Sequence, residues 1–236
     1  LLKFINLIGL FLLNFIFIVK FLLRIQSFHR NRLPLLPIIK ITDMKKIFLF
    51  IADGFEEVEA VTPLDYLRRC GTDLTLVGVD ADVIRSSRGL TVTCDIALSE
   101  LIGRGVEAKE NAERLAASTA LAILPGGLPN SRTFSENTEL RSFITETVKH
   151  GGLVAAICAA PALALGGWGL LEGKRFTCYP GMGADLPTQP VKGARVIRDG
   201  QFITACGAGA AEEFAFTLVD ALYGEKRLAE LKSSIV

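Results

Sequence analysis

The stretch Gly152-Leu153-Val154-Ala155-Ala156-Ile157-Cys158-Ala159-Ala160-Pro161-Ala162 decides the fold. An apolar, strand-like run ends on a cysteine, and small residues suited to a helix follow from Ala159 to Leu165. A strand running directly into a helix is the repeating unit of an α/β sheet. The sharp turn between them lifts its residue out of the sheet, as in a nucleophile elbow. A thiol placed there lies at or near a helix N-terminus, where backbone N–H groups and the helix dipole favour the thiolate. A second reading stands beside this one, because a free cysteine is most often a small core hydrophobe.

The same alternation extends outward on both sides. Lys45–Ala52 reads as a buried strand, and Glu56–Cys70 follows with Val58, Val61, Leu64 and Leu67 at helical spacing. Asp73–Val79 is a second strand, and Leu90–Thr93 and Ile96–Leu98 are short ones after a loop holding Ser86, Ser87 and Arg88. Ala117–Leu124 is a buried strand stopped by Pro125-Gly126-Gly127, and Asn137–His150 is a helix ended by Gly151-Gly152. Beyond Cys158, Pro161–Gly166 begins a helix. Arg175–Cys178, Ala194–Arg198 and Phe202–Cys206 read as strands, Gly209–Tyr223 as a closing helix, and Glu225–Leu231 as one more helical segment. Continuous apolar strands alternating with helices imply an α/β fold: a mostly parallel sheet covered on both faces, with sites at the carboxyl ends of its strands. Three segments lie at such ends: Asp53–Glu59, Pro125–Gly127 and Cys158.

Composition narrows the chemistry. The 236 residues suffice for one domain of about 190 residues plus an extra segment. A net charge of +1, with no basic run in the body of the chain, gives no surface for a specific nucleic acid. Five widely spaced cysteines (Cys70, Cys94, Cys158, Cys178 and Cys206) form no CxxC pair. They fit neither a disulfide framework nor a zinc site, and so a reducing, cytoplasmic setting is expected. Histidine is scarce, with only His29 and His150, which leaves few partners for a thiol nucleophile.

Residues 1–43 differ from residues 44–236. Phe4 to Val19 is almost wholly apolar, Lys20, Arg24, Arg30 and Arg32 follow, and no acidic residue precedes Asp43. Three readings stand: a signal peptide or membrane anchor, an organelle-targeting extension, or translated upstream sequence ahead of Met44. If the segment is an anchor, the basic residues on its C-terminal side keep the folded domain in the cytosol.

Glu56, Glu57 and Glu59 open the first helix, where acidic side chains cap N–H groups and complement the dipole. Glu59, placed between Val58 and Thr62, is directed toward the sheet end. A carboxyl buried there beside a thiol has a raised pKa and can shuttle a proton during nucleophilic attack. Leu124-Pro125-Gly126-Gly127 is either a plain turn or half of an oxyanion hole, the N–H groups of Gly127 and Ala159 aimed at a developing negative charge. No GK[ST] follows it, so a phosphate loop is not indicated. Gly207-x-Gly209 reads as the geometry of a helix start, the other four cysteines as structural, and His150 as a helix C-terminal residue.

Together Gly54-Phe55-Glu56-Glu57-Val58-Glu59, Ser87-Arg88, Leu124-Pro125-Gly126-Gly127, Ala155-Ala156-Ile157-Cys158-Ala159-Ala160-Pro161 and Glu213-Phe214-Ala215 resemble the ThiJ/PfpI superfamily, in its parkinsonism-associated deglycase and YajL-like branch. The resemblance runs from Met44 to about Leu231 and does not reach the N-terminal segment. It implies a flavodoxin-like three-layer sandwich, a homodimer, an oxidation-sensitive nucleophile at Cys158, a protonated partner at Glu59, and substrate-binding backbone at Gly126, Gly127 and Ala159. It also implies that Arg69 and Arg88 line the pocket or approach it from the partner subunit. The implied activity needs no cofactor or metal and acts on 2-oxoaldehydes such as methylglyoxal or on early glycation adducts of proteins. Oxidative-stress sensing with a redox-regulated chaperone role is the alternative. Two positions depart from the pattern. Ala159 stands where the protease-like branch has histidine, which disfavours a protease. Tyr179 stands where many deglycase-branch relatives have histidine, so proton transfer rests on Glu59 with the Tyr179 hydroxyl assisting.

Overall fold

The computed structural model describes residues 46–103 and 106–236. The readings made for residues 1–43 lie outside the described residues. Among those described, no helix is long and apolar enough to cross a membrane.

The centre of the sheet is β1 (Lys46–Ile51), buried at every residue after Lys46. Phe48 and Phe50 face one core, while Ile47, Leu49 and Ile51 face the other. A run that reads as uniformly apolar thus serves two cores by the period-2 alternation of strand side chains. Seven strands pair in the order β5-β2-β1-β6-β7-β9-β8, with β2 Leu74–Gly78, β5 Ile96–Ala97, β6 Thr119–Leu124, β7 Leu153–Ile157, β8 Val196–Asp199 and β9 Phe202–Ala205. All pairs are parallel except the edge pair β8–β9. The small strands β3 (Val83–Arg85) and β4 (Thr91–Thr93) form a separate antiparallel hairpin.

Helices cover both faces. On one side α1 (Glu57–Arg69) and the last helix α6 (Ala211–Ser234) contribute Leu67, Phe214 and Leu218 to the core of Leu49, Ile123 and Ile157. On the other, α2 (Leu98–Ile102), α3 (Val106–Ala117), α4 (Leu128–Glu136) and α5 (Thr138–Lys149) pack over Phe48 and Phe50. Phe143 of α5 meets both rings edge-on at 5.5 Å. The result is the expected three-layer α/β sandwich.

Two features differ from the sequence reading. Arg175–Cys178 forms no strand. Two of its N–H groups bond to side chains instead, Arg175 to Asp199 Oδ2 at 2.8 Å and Thr177 to Thr204 Oγ1 at 3.0 Å, and the Tyr179 N–H just beyond it donates to the Cys158 carbonyl at 2.7 Å. The segment after Cys158 is a π-helical turn, Pro161–Gly166, rather than a regular α-helix. The last helix follows the sequence reading, since Gly224, with φ of 79° and ψ of 173°, interrupts the helical path between the two segments expected on either side of it.

The topology fixes where a site can form. From β1 the chain builds outward through β2 to β5, then returns to place β6 and β7 on the other side of β1. Strand order therefore reverses between β1 and β6, and the crevice at their carboxyl ends is the switch point where ligands bind in open α/β sheets. Asp53–Glu59, Pro125–Gly127 and Cys158 all border it.

Candidate active site

Cys158 continues the β7–β9 ladder by one bond, its N–H donating to the Ala205 carbonyl at 2.9 Å, and then turns sharply. Its φ of +65° is the one positive value at a non-glycine among the described residues. A side chain held in this sparsely populated conformation signals a site where the surrounding structure enforces geometry. The elbow is real in backbone terms, although the helical turn begins only at Pro161.

Glu59 stands in the first turn of α1, held there by the Glu56 side chain, which caps the helix by accepting from the Glu59 N–H at 2.9 Å. Only 1 % of Glu59 is exposed. Its carboxyl accepts from the Gly126 N–H at 2.9 Å and lies beside the Cys158 thiol and the Ala208 N–H. Burial raises this carboxyl from its ordinary 4.5 to about 7, against the opposing effect of these neighbouring groups. The Cys158 thiol is likewise pushed up, to about 12, first by burial and then by the Glu59 charge. The backbone N–H groups of Gly127 and Ala159 donate to the sulfur and act the other way. The sequence reading expected backbone N–H groups and a helix dipole to favour the thiolate. The structure supplies N–H groups from Gly127 and Ala159, and sets burial and a carboxylate against them.

Gly126 lies between the Glu59 and Cys158 side chains. A Cβ there would fall within contact of Glu59 Oε2, 2.5 Å from Cys158 Cβ and 2.9 Å from the Ile157 carbonyl. Gly127, at φ +91°, passes so close to the Gly54 carbonyl that a Cβ would collide with it. Glycine is needed at both positions for close backbone approach.

Tyr179 is at the rim, 53 % exposed, its N–H bonded to the Cys158 carbonyl. A Cβ on Gly207 would lie 3.6 Å from the Tyr179 ring and 3.9 Å from Glu59 Oε1, so Tyr179 and Glu59 flank the same backbone. Arg88 sits on the β3–β4 turn, and its N–H donates to Glu57 at 2.8 Å. Ser86 and Ser87 hydroxyls also donate to Glu57. Despite some burial, these donors hold Glu57 below the ordinary carboxylate value. The same turn is tied to the loop before α1, through Gly54 N–H to Arg85 O at 2.7 Å and Ser87 N–H to Phe55 O at 2.8 Å. Arg69 is not brought to this site within one chain. It closes α1 about 15 Å along the helix from Glu59, paired with Asp65 at 2.8 Å.

Ala208 is a contact the sequence reading missed. Its only signal was the Gly207-x-Gly209 pattern, read as a helix start, and its N–H is the group that reaches Glu59. One set of side chains among those described has metal-ligand character: Glu113, Glu146 and His150, with ligand atoms within 4.8 Å of one another. It lies before β7, at the opposite end of that strand from Cys158, and Glu146 is paired with Lys149 at 2.6 Å.

Comparison with known proteins gives consistent matches. Residues 45–221 match the DJ-1/PfpI family. Protein DJ-1 homolog B of Arabidopsis thaliana is 36% identical over 194 residues, 81% of this chain and 41% of that protein. The chain thus spans less than half the length of that curated relative. Glutathione-independent glyoxalase DJR-1.2 of Caenorhabditis elegans is 26% identical over 187 residues, 78% of this chain and 92% of that protein. The structure of oxidized Toxoplasma gondii DJ-1 superposes with a TM-score of 0.71 at 28% identity, over 80% of this chain and 97% of that one. With the family match covering the sheet, the elbow, Glu59 and Cys158, the chain belongs to the DJ-1/PfpI family.

Proposed function

We propose that the protein is a cofactor-independent glyoxalase-type enzyme that uses Cys158 and Glu59 on 2-oxoaldehydes such as methylglyoxal or on their early protein adducts. The observation that carries this reading is the buried Glu59 carboxyl set beside Cys158 across Gly126, in a pocket where Gly127 and Ala159 N–H groups meet the sulfur. A relative named as a glutathione-independent glyoxalase supports it. In this reaction the Cys158 sulfur adds to the aldehyde carbon, forming a C–S bond, and the carbonyl oxygen takes a proton to give a hemithioacetal. Glu59 removes the proton from that carbon and returns one to the neighbouring carbon, which converts the adduct to a lactoyl thioester without net oxidation. Water cleaves the C–S bond, releasing lactate and regenerating the thiol. A carboxyl raised to about 7 is matched to proton transfer in both directions near neutral pH.

A second copy of the chain is part of the proposal. Val58 and Val61 are 48 % and 42 % exposed on α1 beside Glu59, and a homodimer through this face would bury them. The same pairing would give Arg69 and Arg88 a route to the neighbouring site. A second reading, oxidation sensing linked to chaperone activity, draws on the same geometry. Glu59 can donate a hydrogen bond to a sulfinate on Cys158, and all five cysteines are free.

The test is lactate formation from methylglyoxal by the full chain without glutathione, alongside Cys158→Ser and Glu59→Gln. Turnover abolished by the first variant and cut at least about a hundredfold by the second is expected. Equal background rates in all three proteins would overturn the enzyme reading and leave peroxide oxidation of Cys158 as the chemistry to pursue.

A further inference from the structure

Asn130 is completely buried, an uncommon place for an amide, and it is the only side chain of α4 that reaches the strand ends through three hydrogen bonds. Its Oδ1 accepts from the Ala52 N–H at 2.6 Å, just past β1. Its Nδ2 donates to the Pro125 carbonyl at 2.9 Å and the Gly126 carbonyl at 3.0 Å, just past β6. The amide orientation is fixed by chemistry. Flipped, the NH₂ would face an N–H and the oxygen would face two carbonyls.

Gly126 is held through both of its backbone polar groups. Its carbonyl accepts from Asn130 and from the Glu56 N–H at 3.1 Å, while its N–H donates to Glu59 Oε2 at 2.9 Å. The next N–H, from Gly127, goes to the Cys158 sulfur. A peptide unit is rigid and planar, so fixing the Pro125 and Gly126 carbonyls fixes the directions of the Gly126 and Gly127 N–H groups. We propose that Asn130 is the positioning residue of this site: it locks the Pro125–Gly127 turn across the β1–β6 switch point so that one N–H faces Glu59 and the next faces Cys158. It touches neither reacting side chain and acts through the turn. The assignment rests on the Cys158–Glu59 reading for its catalytic meaning but not for its geometry.

The test is the rate of Cys158 carboxamidomethylation by iodoacetamide across pH 5 to 10, followed by peptide mass, in the full chain and in Asn130→Ala and Asn130→Asp. Asn130→Asp keeps the volume and the acceptor but sets an oxygen against two carbonyls. A space-filling role would leave it close to wild type. We expect both variants to slow alkylation at pH 7 by about tenfold, with the pH profile displaced upward. We also expect methylglyoxal turnover to lose kcat with KM within about twofold. In a Glu59→Ala background, Asn130→Ala should slow alkylation by clearly less than it does alone, since one of the two N–H targets is gone. A cooperatively folding Asn130→Ala with the wild-type alkylation profile would overturn the proposal. So would an Asn130→Asp profile matching wild type, should Asn130→Ala fail to fold. A displaced profile in a protein that makes no lactate would keep the positioning role and sink only the glyoxalase reading.

Discussion

Replacing Glu59 by glutamine should stabilise the folded protein, and by an amount that depends on pH. Burial takes the carboxyl from its ordinary 4.5 to about 7. Below pH 4.5 both folded and unfolded chains hold this proton, so the native carboxyl is neutral and its burial carries no ionic penalty. Between pH 4.5 and 7 the unfolded chain releases the proton while the folded chain keeps it. Stability therefore falls as pH rises, because here the native state binds more protons. Above 7 the loss is complete. At 1.36 kcal/mol per pH unit, the interval from 4.5 to about 7 corresponds to about 3 kcal/mol. For a folded domain of this size that is a shift of roughly 6–12 °C in Tm. Glutamine cannot ionise, so its contribution is flat.

The assay is urea unfolding at pH 4.5, 5.5, 6.5 and 8 on two proteins, Cys158→Ser alone and Cys158→Ser combined with Glu59→Gln. The serine removes the thiol as a second titrating group, and the subtraction removes every other carboxyl. The stability advantage of Glu59→Gln should grow by about 3 kcal/mol from the lowest pH to the highest. A difference that stays constant over that range would refute the reasoning. Glu59 would then ionise normally despite being 1 % exposed, and the proposed proton carrier would be a permanent carboxylate.

Two further outcomes follow from contacts at the turn after β6. Gly126→Ala places a methyl between Glu59 Oε2 and the Cys158 Cβ and should cost about 1–3 kcal/mol of stability. Because it forces the two side chains apart, it should lower kcat/KM by about a hundredfold, measured as lactate production at matched folded fraction. Ser131→Ala should raise Tm by about 1–3 °C in a calorimetric scan. The Ser131 Oγ is fully buried with no hydrogen-bond partner among the described residues, and alanine is also the better helix former inside α4.

Much of the architecture was legible because its determinants are local. Val154–Ile157 and Ile47–Ile51 are apolar runs too short for helices and bounded by breakers, and both are strands. The elbow at Cys158 followed from that boundary alone. Elements whose local signal points elsewhere were not legible. Leu128–Glu136 receives no assignment from the sequence, because it follows a glycine turn and carries a proline, yet Pro129 sits in the first turn of α4, where its missing N–H is harmless. Phe176 and Cys178 have the apolar character of a strand, but they are buried by packing, and the backbone between them bonds to a side chain. The nearness of Cys158 and Glu59 could be expected from fold rules, whereas the contributions of Asn130 and Ala208 could not. Those depend on which carbonyl or N–H a distant turn presents, and no periodicity encodes that.

The two raised pKa values acquire meaning together. With Glu59 ionised, the Cys158 proton is held to about 12, first by burial and then because a second negative charge in the pocket is opposed by the first. With Glu59 protonated, that repulsion is absent. The carboxyl becomes a donor, and the Gly127 and Ala159 N–H groups can hold a thiolate. The pocket therefore accommodates one negative charge, shared between oxygen and sulfur, and the proton leaving near pH 7 belongs to the pair. Nucleophilic attack moves this charge onto the substrate oxygen, which frees Glu59 to release its proton. Cys94 and Cys178 mark the contrast. Burial alone pushes Cys178 up to about 11, and burial with two nearby carboxylates does the same for Cys94. Neither has a buried carboxyl to exchange a proton with, and so neither can carry a charge that moves.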